Sequence, residues 1–120
     1  MTSRHWPALI TVCLLPVFSL AAEPYSYVHH AVSTDRPAAQ QAFDRGLTLM
    51  YGYANQEAEQ SFRLAAKLDP ELAMAWWGIA LSLGWDINND PDAASTKRAA
   101  EAIQHASELV AKRGTSDEQA

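Results

Sequence analysis

Beyond Arg36 the chain carries proline at only three positions, Pro37, Pro70 and Pro91. Proline lacks a backbone donor and clashes with the preceding turn, so a helix accepts it at its start and not inside. Three long proline-free stretches follow, each with a capping-type residue near its start: Asp35, Asp69 and Asp90. This pattern predicts helices that open at the prolines. Asp69-Pro70-Glu71 and Asp90-Pro91-Asp92 add negative charge at the positive end of the helix dipole. Val, Ile and Thr alternate in no run, so no strand is predicted and the fold class is all-α.

Helical spacing then divides the chain. A first helix is predicted over about 37–51, with Phe43, Leu47, Met50 and Tyr51 on one side. Gly52 and Asn55 break and restart the chain, with Asn55 as N-cap. A second helix over 56–68 carries Ala58, Phe62, Ala65 and Leu68 on one stripe, with Glu59 on the exposed side. A third over 70–84 carries Leu72, Trp76, Ile79, Ala80 and Leu83. A polar loop leads to a fourth over 91–112, with Ala99, Ile103, Ala106, Leu109 and Val110. Lys112, Arg113 and Gly114 suit its C-terminus.

The helices repeat. A shift of 34 lays Ala42 on Trp76, Gly46 on Ala80 and Leu49 on Leu83. A shift of 41 lays Ala58 on Ala99, Phe62 on Ile103, Ala65 on Ala106 and Leu68 on Leu109. Matching small and large positions in two helix pairs argue for a helical repeat. The pattern resembles the tetratricopeptide repeat in Gly46, in Ala58, Phe62 and Ala65, in the closing Pro70 and in the following Trp76 and Ala80. Arg45 and Leu49 depart from it, standing where leucine and tyrosine are usual. Val32-Ser-Thr, Phe43-Asp-Arg-Gly-Leu and Ala73-Met-Ala-Trp-Trp-Gly look like exported bacterial proteins with these repeats. The resemblance implies a right-handed stack of antiparallel helix hairpins, a tetratricopeptide-like solenoid, with hairpins at 37–69 and 70–113. Gly46, Ala58, Ala65 and Ala80 would allow the close helix approach, with Phe62 and Trp76 filling the space beside them. Two repeats are fewer than such stacks usually need. Thr115 and Glu118 have capping-box spacing, so 114–120 reads as the start of a third repeat in a truncated longer protein.

The N-terminus is of another kind. Arg4 and His5 precede a charge-free run from Pro7 to Leu20, closed by Ala21 and Ala22. A basic start, a short apolar core and small residues at the exit describe a secretory signal peptide at 1–21. The run is short for a membrane span and contains Pro7 and Pro16. Cleavage after Ala21, or after Ala22, would remove the single cysteine, Cys13, and leave an extended lead-in at 22–36. The expected location is periplasmic or secreted, bacterial, with no membrane attachment after cleavage.

The formal net charge is −5 and there is no basic cluster, which argues against nucleic acid and anionic lipid. Asp86, Asn88, Asp90 and Asp92 alternate as in a calcium loop, but Pro91 and Lys97 stand where that loop needs glycine and glutamate. His29 and His30 are metal-ligand side chains that Asp35 or the amino terminus could supplement, a weak site, and His105 reads as surface. No serine sits in a nucleophile elbow, and no glycine-rich phosphate loop is present.

The resemblance implies an exported module that binds protein or peptide, uses no cofactor and does no chemistry; periodicity gives only the scaffold. The resemblance places a concave, peptide-binding face at Gln40, Phe43, Leu47, Met50 and Tyr51, and at Met74, Trp77, Leu81 and Trp85. Folding back of 25–28 would cover this face and make it core. An exposed last hairpin implies self-association. Two alternatives stand beside this: an N-terminal structural segment of a longer exported protein, and a periplasmic metal-binding protein acting through His29 and His30.

Overall fold

The computed structural model describes residues 28–84 and 90–113. These residues form four helices and no strand: α1 Pro37–Tyr51, α2 Asn55–Leu68, α3 Ala73–Leu83 and α4 Ala93–Arg113. Consecutive helices pack on one another, and α3 also touches α1. The signal-peptide, Trp85, calcium-loop Asp86 and Asn88, and third-repeat expectations lie outside the described residues.

Helix α1 starts with Pro37 at the first turn, as its ring geometry favours, and no side chain caps it. Its C-terminus closes differently from expectation. The left-handed residue is Tyr53, with φ 58°, not its neighbour Gly52. Tyr53 N–H donates to Met50 O (3.0 Å) and Ala54 N–H to Leu49 O (2.9 Å), the Schellman pairing that satisfies the last carbonyls. The N-cap of α2 is then Ala54, and Asn55 is its first helical residue.

The third helix begins three residues later than Pro70 suggests. Asp69 is engaged in a turn instead: its carboxylate accepts from Glu71 N–H (3.2 Å) and its carbonyl from Leu72 N–H (3.1 Å). Pro70 O meanwhile accepts from Trp76 Nε1 (3.3 Å). In α4 the cap moves from Asp90 to Asp92, whose carboxylate accepts from Ser95 N–H at 2.6 Å. That hydrogen bond, then the Ser95 hydroxyl and more weakly Arg98, hold the Asp92 carboxyl below its ordinary value.

The core is centred on Phe62 of α2, fully buried with Phe43 of α1 at 5.6 Å between ring centroids. Two glycines make room for it. A Cβ on Gly46 would fall 2.5 Å from the Phe62 ring, and one on Gly78 would overlap the same ring. Phe62 is therefore held between α1 and α3, in space that only glycine leaves free. Ala58 and Ala65 are fully buried beside it. The close small residue of α3 is thus Gly78, while Ala80 is only half-buried. Helix α3 packs on α1, α2 and α4, so Ala73, Ala75, Gly78 and Ile79 are all buried around it. A helix enclosed on several sides is apolar all round, and a single-stripe reading misses part of its core.

In α4, Ala102, Ala106 and Leu109 face inward, while Ile103 is exposed. Glu59 is half-buried rather than open, because it reaches both Arg63 of its own helix and Arg98 of α4. His105 is no free surface residue: its ring meets Trp76 edge-on, with centroids 4.4 Å apart. Arg113 pairs with Glu71 and ties the end of α4 to the α2–α3 turn.

Candidate functional site

Helix α1 carries a polar column, Gln40, Asp44 and Thr48, beside the apolar pair Phe43 and Leu47. Residues four apart on a helix lie one above the other, about 6 Å apart. The non-helical segment 28–32 runs against this column. Val28 N–H donates to Thr48 Oγ1 (3.0 Å), His30 N–H to Asp44 Oδ1 (3.1 Å) and Val32 N–H to Gln40 Oε1 (3.1 Å). The order is reversed, so the segment runs antiparallel to α1. An extended chain advances about 6.6 Å every two residues, close to the spacing of the three acceptors. The column is a ladder whose rungs take the backbone amides of alternate residues.

The remaining polar atoms are used as well. Gln40 Nε2 donates to His30 O (2.7 Å) and to Asp44 Oδ1 (2.9 Å), which holds its amide in the orientation that receives Val32. His29 Nδ1 lies 2.7 Å from Asp44 Oδ2. The Asp44 side chain is 12% exposed and has three partners. Among the described residues no buried side-chain polar atom lacks a hydrogen bond. Val28 and Val32 pack against the core, and the His30 ring lies 6.3 Å from that of Phe43. Further on, Thr34 Oγ1 donates to Asp69 Oδ2 (2.6 Å) and the Arg36 guanidinium to Leu68 O. The segment is thus fastened to the α2–α3 turn at one end and laid along α1 at the other.

The nine positions expected on a concave face divide sharply. Phe43 and Leu47 are buried core, and the Gln40 amide is engaged by His30, Val32 and Asp44. Met50, Met74 and Trp77 are half-buried against the core. Tyr51 is 72% and Leu81 42% exposed. Trp85 lies outside the described residues. Of the segment 25–28 whose folding back would cover this face, only Val28 is described, and it lies along α1 with residues 29–32.

Two of the grooves among the described residues bear on the expected face. One, of 570 Å³, lies between α1 and α2 and is lined by Ala38, Gln41, Ala42, Asp44, Arg45, Leu64 and Leu68. The other, of 360 Å³, lies between α3 and α4 and brings Met74 and Trp77 together with Ile103, Ser107 and Val110. Trp77 therefore shares a groove with Met74, but not with Tyr51.

Among the described residues no group of three or more His, Cys, Asp or Glu side chains converges as a metal site. His29 is turned to Asp44, and His30 to Phe43. Asp44 and Thr48 are the functional candidates that the sequence reading passed over. Their signal is present in the chain: three hydrogen-bonding side chains at i, i+4 and i+8, one column away from Phe43 and Leu47. Polar residues flush against an apolar stripe need a partner, and here that partner is backbone. Compared with known protein families, curated proteins and solved structures, the chain matches none.

Proposed function

We propose that the protein is an exported scaffold of tetratricopeptide type, which binds an extended protein or peptide segment and carries out no reaction. The observation that carries this reading is the ladder of Gln40, Asp44 and Thr48, which holds an extended stretch by its alternate amides. The two packed hairpins, with Phe62 between Gly46 and Gly78, support the kinship with that repeat family. The partly open Met74, Trp77 and Leu81 supply apolar and adaptable surface of the kind that marks an interaction site. Export rests on the basic and then charge-free start of the chain. No helix among the described residues is long and apolar enough to cross a membrane.

The α3–α4 groove favours a second reading, in which this chain is the N-terminal part of a longer exported protein. A further helix hairpin would cover Met74, Trp77, Ile103 and Val110.

The test of the first reading is selection of peptides from a displayed random library on the purified protein. Peptides with dissociation constants in the micromolar range or below are expected. Trp77→Ala should weaken those that use the second hairpin by about 2 kcal/mol, the scale of an aromatic anchor. An unchanged urea midpoint shows that the fold survives. Failure to enrich any peptide defeats this reading.

A further inference from the structure

We infer that the α1 ladder is a docking site for an extended partner segment of pattern apolar, cation, any, any, apolar, and that residues 28–32 occupy it as an internal stand-in. This rests on the peptide-binding reading above and names both the ligand chemistry and the regulation of that site.

Three features carry it. The rungs are addressed to backbone: each accepts an amide N–H that any extended segment other than proline offers at the same spacing. Side-chain choice comes from three seats. Val28 and Val32 fill two apolar seats against the core, four residues apart. Between them the Asp44 carboxylate faces the residue after the first valine, at present His29. His29 is largely in solvent, with 67% of its side chain exposed, so lysine or arginine fits there and brings a permanent charge to the carboxylate. Among the described residues His29 is the basic side chain bonded to Asp44, whose other partners there are the His30 amide and Gln40. The net charge of −5 also favours a cationic segment on approach.

The third feature is how the stand-in is attached. Its exit, Thr34 and Arg36, is pinned to Asp69 and Leu68 of the α2–α3 turn, away from the ladder. Residues 28–32 can therefore leave α1 without pulling on the helix itself. So short a tether keeps the internal segment at an effective concentration on the order of millimolar. An incoming segment must outcompete it, and a lysine or arginine at the second place supplies the advantage.

The experiment uses the full chain and three fluorescent peptides: a copy of residues 26–34, the same copy with H29K, and a scrambled copy. Anisotropy is read on the wild type and on the double variant V28D/V32D, which empties the two apolar seats. The copy should bind the double variant at least tenfold more tightly than the wild type. The H29K copy should bind about threefold more tightly again, and Asp44→Asn should remove that margin. Equal binding of the true and scrambled copies to a double variant with intact helical circular dichroism overturns the inference. Where the double variant does not fold, hydrogen exchange on the wild type decides. Amides of Val28, His30 and Val32 should lose protection at millimolar H29K peptide, and unchanged protection overturns the inference. Library peptides that bind the protein but are not displaced by the H29K copy also sink this inference, while leaving the peptide-binding reading intact.

Discussion

Laid on one another at a shift of 34 residues, helices α1 and α3 present opposite chemistry at matching positions. Gln40, Asp44 and Thr48 of α1 correspond to Met74, Gly78 and Ser82 of α3. Gly78 presses on the Phe62 ring of α2, and the Ser82 hydroxyl turns back to Ile79 O of its own helix (2.9 Å). The neighbour of α3 is a helix, whose amides are satisfied within itself, so α3 must offer space. Through Gly46 α1 offers the same ring space, but its Gln40, Asp44 and Thr48 column faces an extended segment with a bare amide at every second residue, so that column must offer acceptors. The polarity of a buried helix face follows the hydrogen-bonding needs of the backbone laid against it, and not only its distance from solvent.

The largest test of this contrast is to fill the space α3 provides. Gly78→Ala should destabilise the chain by about 1–3 kcal/mol, because a fully buried Phe62 has nowhere to retreat. Gly46→Ala should cost a similar amount from the other side of the ring. Urea midpoints check both. Unshifted midpoints would mean that Phe62 is not clamped between the two helices. Ala58→Leu and Ala65→Leu belong to the same class and should exceed Glu59→Leu. Glu59 is nonetheless no longer a neutral control, since its loss frees Arg98 from α2.

On α1 the corresponding test removes an acceptor. Asp44→Ala takes the acceptor from His30 N–H and one of two acceptors from the Gln40 amide, which keeps His30 O, a loss of about 1–3 kcal/mol. The damage should be local: faster exchange for Val28, His30 and Val32, with little change in α3 and α4. Acceleration spread evenly over all four helices would show that the segment is part of one cooperative core, and would erase the contrast.

Most of the helical frame could be read from residues alone, because it rests on local chemistry. Pro37 and the Phe43, Leu47 stripe locate α1, and Ala58, Phe62 and Ala65 give the buried face of α2. The misplacements have a common cause. Asp69 and Asp90 look like caps at their prolines, but Asp69 is drawn into a turn bonded to Thr34, a residue 35 positions away. The role of Gly78 depends on where Phe62 lands, which one helix's periodicity does not contain. The candidate site suffered most. The chain suggests Gln40 only as part of a concave face, and Gln40, Asp44 and Thr48 become rungs only once the lead-in folds back on α1.

The connections sharpen the comparison on a smaller scale. The α1–α2 turn places its left-handed residue at Tyr53, next to a glycine that does not use that freedom. Left-handed backbone costs a side-chain-bearing residue about 1–2 kcal/mol, offset in part by the entropy glycine loses on folding. Tyr53 is largely exposed, so little packing is lost on substitution. Tyr53→Gly should therefore stabilise the chain by about 0.5–1 kcal/mol, seen as a higher melting temperature. Gly52→Ala should be close to neutral, since a Cβ there meets Leu49 O at 3.4 Å and Thr48 O at 3.7 Å, both ordinary contacts.

The smallest effect separates the second helix of each hairpin. The N-cap of α2 is Ala54, with no side-chain cap, whereas α4 opens on the Asp92 carboxylate bonded to Ser95 N–H. That bond, chiefly, depresses the Asp92 carboxyl below its ordinary 3.8. A carboxylate depressed on folding stabilises fully above its unfolded value, and the contribution disappears as pH falls through the lower, folded value. The first turn of α4 should therefore loosen only below pH 3.8, while the first turn of α2 has no such response through its cap. The Ser95 amide resonance, followed by NMR from about pH 6 downward, reports this step. Asp92→Asn keeps an acceptor at the cap but removes the titration, so its Ser95 amide should stay flat over the same range. A step that survives in Asp92→Asn would assign it to another carboxylate and leave α4 opening no differently from α2.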